Sequence, residues 1–125
     1  MTDGRKGNYR YKEEELIAIR QEEARRAAKI VGINKLIFLD NRDSELTASS
    51  KTIKELSKIL ADLKPDAIVL PFILDNHHDH IATSQIFFSA TGVLASCMCY
   101  LYGIWTPLPT FNVISDITAY FDTKI

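Results

Sequence analysis

Cysteine is scarce in this chain. Cys97 and Cys99 are its only thiols, which excludes a scaffold held together by disulfides. Two positions apart on the helix expected there, they point in different directions and are not expected to pair. An excess of charge of either sign is also lacking. Lys plus Arg number 15 and Asp plus Glu 16, for a formal net charge of −1. That balance gives no electrostatic reason to expect nucleic acid or an anionic membrane as partner. The opening Met1-Thr2-Asp3-Gly4-Arg5-Lys6-Gly7 carries no apolar core of the kind a secretory signal has. The longest apolar stretch, from Ile86 to Tyr102, is interrupted by Ser89, Thr91, Gly92 and Ser96. A membrane span would need about 20 mostly apolar residues, so a buried helix is expected there, in a cytoplasmic protein. Internal repeats and low-complexity segments are absent.

What remains is an ordinary globular composition. With 125 residues, 46% of them hydrophobic and 25% charged, the chain suits one domain with a real core. Residues 2–11 read as a loop. Residues 12–31 read as a helix, with Leu16, Ile19, Ala27 and Ile30 at helical spacing, acidic residues early, basic residues late and Gly32 as a stop. Leu36, Ile37, Phe38 and Leu39 form a short apolar run expected to be a strand covered on both faces. Residues 40–49 are loop-like. Residues 50–63 form a second amphipathic helix, ended by Lys64-Pro65-Asp66, and Ala67 to Leu70 read as another buried strand. A helix over about 80–101, a rigid turn at Trp105-Thr106-Pro107-Leu108-Pro109 and a strand over 111–117 complete the expectation. This alternation predicts an α/β fold with a parallel sheet. Loops 40–46 and 71–80 then leave the carboxyl ends of strands on the same side, where ligands gather in such sheets.

The second of those loops holds the chemistry. Asp75-Asn76-His77-His78-Asp79-His80 contains all three histidines of the chain. Imidazole and carboxylate bind Zn²⁺ or a similar metal, and imidazole transfers protons near neutral pH. Asp79 is a candidate helix N-cap, and a helix N-terminus favours neutral, ligating imidazole. His77 and His80, three apart, can converge on one point, and Asp79 can orient His77 by accepting a bond from its ring. The plainer alternative is a polar surface turn.

The segment Pro65-Asp66-Ala67-Ile68-Val69-Leu70-Pro71, then Asp75 and His77-His78-Asp79-His80, resembles the PIG-L/LmbE-like zinc-dependent N-acetylglucosaminyl deacetylases. Other pieces follow in order. Thr2-Asp3-Gly4 and Gly7-Asn8 look like the family's glycine-containing loop, Arg20-Gln21-Glu22-Glu23 like its Arg-x-x-Glu helix, and Arg42-Asp43-Ser44 like its substrate loop. Tyr102, Trp105-Thr106-Pro107 and Asp116-Ile117-Thr118 look like its later strand region. The resemblance implies a Rossmann-like sheet flanked by helices and a metal-assisted hydrolysis of an acetamide, releasing acetate and a free amine. It implies that His80 is a metal ligand, with zinc or another divalent ion as cofactor. His77 would stabilise the oxyanion or protonate the departing amine, with Asp79 orienting it. Arg20 and Asp43 would hold hydroxyls of an N-acetylated amino-sugar substrate, with Asp75 a substrate or supporting residue. Each has a plainer use: a structural ion pair for Arg20 with Glu23, a turn-stabilising role for Asp43, a loop aspartate for Asp75.

The chain departs from the family pattern at its start, where a His-Pro-Asp-Asp-Glu motif supplying two ligands and the general base finds no match. One domain covering 1–125, an incomplete copy of the deacetylase domain, is therefore expected. A parallel sheet without its first strands exposes apolar edges, so a homo-oligomer is expected. The alternative function is a non-catalytic sugar-binding or self-associating remnant of that fold.

Overall fold

Glu13, Glu14 and Glu15 open α1 (Glu13–Val31), where acidic side chains complement the helix dipole. The Glu15 carboxylate accepts the Lys12 amide at 3.3 Å. Gly32 ends the helix with φ 74°, and its N–H returns to the Ala28 carbonyl, a left-handed stop that glycine adopts without strain. In the computed structural model, which describes residues 1–90 and 97–124, the elements that follow are α2 (Ser50–Leu63), β1 (Ala67–Pro71), α3 (His78–Ser89) and β2 (Met98–Tyr102). A 3-10 turn (Thr118–Tyr120) and a short α4 (Phe121–Lys124) close the chain.

β1 and β2 pair in parallel, with Ala67 opposite Met98, Val69 opposite Tyr100 and Pro71 opposite Tyr102. This is the parallel α/β arrangement the alternation predicts, with α3 in the connection between the strands. One face of the sheet presents Ile68, Leu70, Cys99 and Leu101 to a core made with Leu60 of α2, Phe87 of α3 and Ala90, which caps α3. A second core joins Leu46, Ala82 and Ile86, and Leu56 of α2 packs against both. Helix α3 therefore holds the structure together, contributing to both clusters. Its buried Ser84 hydroxyl donates to the Pro71 carbonyl at 2.6 Å, fixing the helix against the tip of β1.

Four expectations need correction. Residues 36–39 are not a strand and are not buried on both faces. Among the described residues no strand lies beside them, and the only local pairing is the parallel bridge between Thr2 and Asn41 just beyond them. β1 is not covered on both faces either, since Val69 is 67% exposed opposite the core side. The helix expected over 80–101 ends at Ser89, residues 91–96 lie outside the described residues, and Met98 to Tyr102 is a strand. Alternate burial along β2 is a period of two, which the sequence Met98-Cys99-Tyr100-Leu101-Tyr102, apolar or aromatic at every position, had concealed. Residues 111–117 are exposed and unpaired rather than a strand. Both cysteines are free thiols. Among the described residues no helix is long and apolar enough to cross a membrane.

Candidate functional site

Asp75 is the hub of the loop after β1. It is 2% exposed. One carboxylate oxygen accepts the His77 amide at 3.3 Å and the other lies 3.2 Å from His80 Nδ1. Burial alone would push this carboxyl up, but the bonds from the His80 ring and from the Asn76, His77 and Ile104 amides outweigh it and hold the group below its ordinary value. The Ile104 contact matters for geometry as well as charge. It brings the loop after β2 to the loop after β1, as does the Phe72 amide donating to the Tyr102 carbonyl at 2.8 Å.

His77, not Asp79, is the N-cap of α3. Its Nδ1 accepts the Asp79 amide at 3.2 Å. The bond expected from the His77 ring to the Asp79 carboxylate is absent, because that carboxylate is occupied elsewhere. It accepts the Ser44 amide at 2.7 Å and the Leu46 amide at 3.3 Å. His78 turns the same way, its Nε2 donating to the Leu46 carbonyl at 2.8 Å. Asp79 and His78 thus fasten the 40–46 loop to the start of α3, which brings the two loops together as expected, although among the described residues no strand precedes the first of them. Ser44 needs that support, having φ 66°, a region a residue with a Cβ seldom occupies.

The remaining two rings face each other, His77 and His80 having centroids 4.8 Å apart. Their hydrogen bonds assign opposite tautomers in the neutral state. His77 accepts at Nδ1, so its proton sits on Nε2 and the free end of the ring is a donor. His80 donates its Nδ1–H as a hydrogen bond to the Asp75 carboxylate, so its Nε2 presents a lone pair. Trp105 completes the cluster, its ring centroid 6.1 Å from that of His77 and the planes 27° apart. From the sequence Trp105 falls in a turn and in a segment resembling the family's later strand region, with no part in the site.

Arg20 and Asp43 lie on a neighbouring arrangement. Arg20 pairs with Glu23 at 2.7 Å, the structural ion pair weighed above. Its side chain also crosses the loop beneath it, its Cγ 3.0 Å from where a Cβ on Gly4 would stand. Gly4 itself has φ 70°, so both backbone and contact call for glycine there. Asp43 accepts the Lys6 amide at 3.1 Å. No described hydrogen bond joins Arg20 or Asp43 to the histidines; the link runs through Ser44 to Asp79.

His80, held at Nδ1 by a buried carboxylate with Nε2 free, has the form of a metal-ligating imidazole with its supporting acceptor. Among the described residues, however, no group of three or more His, Cys, Asp or Glu is placed to hold a metal ion. The described residues therefore do not form a complete metal centre. The surface hollow between β2 and residues 108–115 has no His, Asp, Glu or Lys in its lining and does not substitute for one.

The histidine–carboxylate cluster stands at the carboxyl end of a parallel strand, where α/β sheets gather their ligands. The chain belongs to the PIG-L family, matching the description "GlcNAc-PI de-N-acetylase" over residues 1–91. Among solved structures it is similar to the N,N'-diacetylchitobiose deacetylase from Pyrococcus horikoshii complexed with its inhibitor MPG. There the identity is 34% and the TM-score 0.61, over 72% of this chain and 34% of that one. It also shares the fold of the conserved protein TT1542 from Thermus thermophilus, with 23% identity and a TM-score of 0.63, over 71% of this chain and 46% of that one. The chain thus spans less than half the length of either structure.

Proposed function

We propose that this chain carries part of the site of an N-deacetylase, an amide hydrolase acting on an N-acetylglucosamine-type amino sugar. The observation that carries the reading is the complementary histidine pair, one ring offering a proton and the other a lone pair across a 4.8 Å centroid separation. His77 Nε2–H donates to the amide oxygen as the tetrahedral centre forms, or to the departing nitrogen. Asp75 holds His80 in its ligating tautomer. Arg20 and Asp43 contact sugar hydroxyls, and Asp79 supports the site by locking the 40–46 loop. His80 is one ligand of a divalent ion, zinc or another, whose remaining donors the described residues do not supply. Such an ion provides Lewis acidity toward the amide carbonyl and water. The exposed sheet face supports the expectation of self-association, which sedimentation velocity over a concentration series checks.

The test is acetate release from N-acetylglucosamine and N,N'-diacetylchitobiose, with metal content measured alongside. His77→Asn keeps a capping oxygen and is expected to retain metal while losing about 10²–10⁴-fold in turnover. His80→Ala is expected to lose metal. Unchanged turnover in His77→Asn sinks the reading. The second reading, a sugar-binding remnant without a metal centre, is favoured by the lack of a three-donor group among the described residues. Sugar binding that survives His80→Ala, with no acetate released by the parent protein, would select it.

A further inference from the structure

We infer that Trp105 is the stacking platform for the pyranose ring of the substrate, a role that rests on the deacetylase reading above and adds a residue to it. Three observations meet at this side chain. The indole is 65% exposed, although a side chain with so much apolar surface is ordinarily covered. Its ring neighbour is not a core residue but His77, at 6.1 Å and nearly parallel, so the indole lies beside the ring assigned to proton donation. The backbone just before it is tied into the site. The Ile104 amide acts on the buried Asp75 carboxylate, and Gly103 allows a turn so tight that a Cβ there would lie 2.6 Å from the Thr106 carbonyl oxygen. An exposed aromatic held rigidly at the edge of a polar cluster is prepared to bind rather than to pack.

The chemistry of the ligand follows. A glucosamine ring in its chair form carries its substituents equatorially, leaving axial C–H bonds on a flat face. Those hydrogens bear partial positive charge and suit the negative face of an indole. A ring lying on Trp105 lies within reach of the neighbouring His77, and the orientation the deacetylase reading requires turns its 2-acetamido group to that side. The platform therefore selects a cyclic, gluco-configured N-acetyl amine over a small open-chain acetamide of the same reactive group.

Trp105 is the single tryptophan of the chain, so its emission reports on this position without labelling. The 125-residue chain is titrated with N-acetylglucosamine and, separately, with N-methylacetamide, and affinities of the parent, Trp105→Ala and Trp105→Phe are measured by calorimetry. A saturable change in emission with the sugar only is expected. Trp105→Ala should bind the sugar about tenfold more weakly, with Trp105→Phe between the two. Far-ultraviolet dichroism should be unchanged, since the side chain is exposed. Equal affinity in the parent and Trp105→Ala overturns the platform and leaves the deacetylase reading standing. Absence of any sugar binding by the parent overturns both.

Discussion

Asp79 lies in the cluster the sequence singles out, but its carboxylate makes other bonds than the one expected of it. Its carboxylate, expected on the His77 ring, receives the Ser44 and Leu46 amides instead. Replacing it with alanine leaves both amides without that acceptor, the Leu46 amide in a buried setting, at a cost of about 1–3 kcal/mol. Asp79→Ala is therefore expected to shift the urea midpoint downward in the absence of any sugar or metal, and Asp79→Asn to recover part of the loss. An unchanged midpoint would return Asp79 to a purely catalytic part. The residues of the cluster were legible because three histidines beside two aspartates after an apolar run are conspicuous in one dimension. Their bonding was not, because it depends on Leu46, 33 positions before Asp79, and on the Ile104 amide beyond β2. Trp105 escaped for the same reason, its significance arising from contact with His77 rather than from its neighbours in sequence.

Elements defined by their own internal hydrogen bonds were the readable ones. The boundaries of α1 and α2 agree closely with the helical spacing of their apolar residues and with the breaks at Gly32 and Lys64-Pro65. Strands need a partner, and an apolar run cannot announce whether one is available. Hence Ala67 to Pro71 is a strand because β2 lies beside it, whereas residues 36–39 are equally apolar and form none. Helix α2 allows this local determination to be measured. Ser49 caps it, its hydroxyl accepting the Thr52 amide at 3.2 Å, while Thr52 Oγ1 accepts the Ser49 amide at 3.0 Å. Because α2 supplies Leu56 and Leu60 to the core, loss of the cap is transmitted to global stability. Ser49→Ala is expected to lower it by about 1 kcal/mol, read as a reduced urea midpoint with unchanged slope. Ser49→Asp, which retains a capping oxygen, should stay near the parent.

At the scale of the whole molecule, the contacts described for α1 run to loops, and charge does much of the joining. Arg25 lies over the Phe38 ring at 5.5 Å, Gln21 donates to Asp40 at 3.2 Å, and Glu13 meets Arg5 at 3.3 Å. Arg5 in turn bonds Asp3, whose carboxylate also accepts the Asp43 amide at 3.3 Å. The chain Glu13–Arg5–Asp3–Asp43 thus links the first helix, the opening loop and the 40–46 loop that packs on α3. Burial would raise the Asp3 carboxyl, but the hydrogen bonds from Arg5 and the Asp43 amide, with the guanidinium charge, bring it below its ordinary value near 3.8. The unfolded chain then takes up a proton at a higher pH than the folded one does. The stabilising contribution of Asp3 is complete above the ordinary value and is lost as pH falls through the lower folded value. A thermal-denaturation series from pH 7 down to pH about 2.5 should therefore show a midpoint that drops in its acid arm. Asp3→Asn should start lower at neutral pH, having lost its ion pair with Arg5, and descend less steeply below pH about 4. Parallel acid arms in the two proteins would mean that this linkage does not couple the opening loop to the rest of the fold.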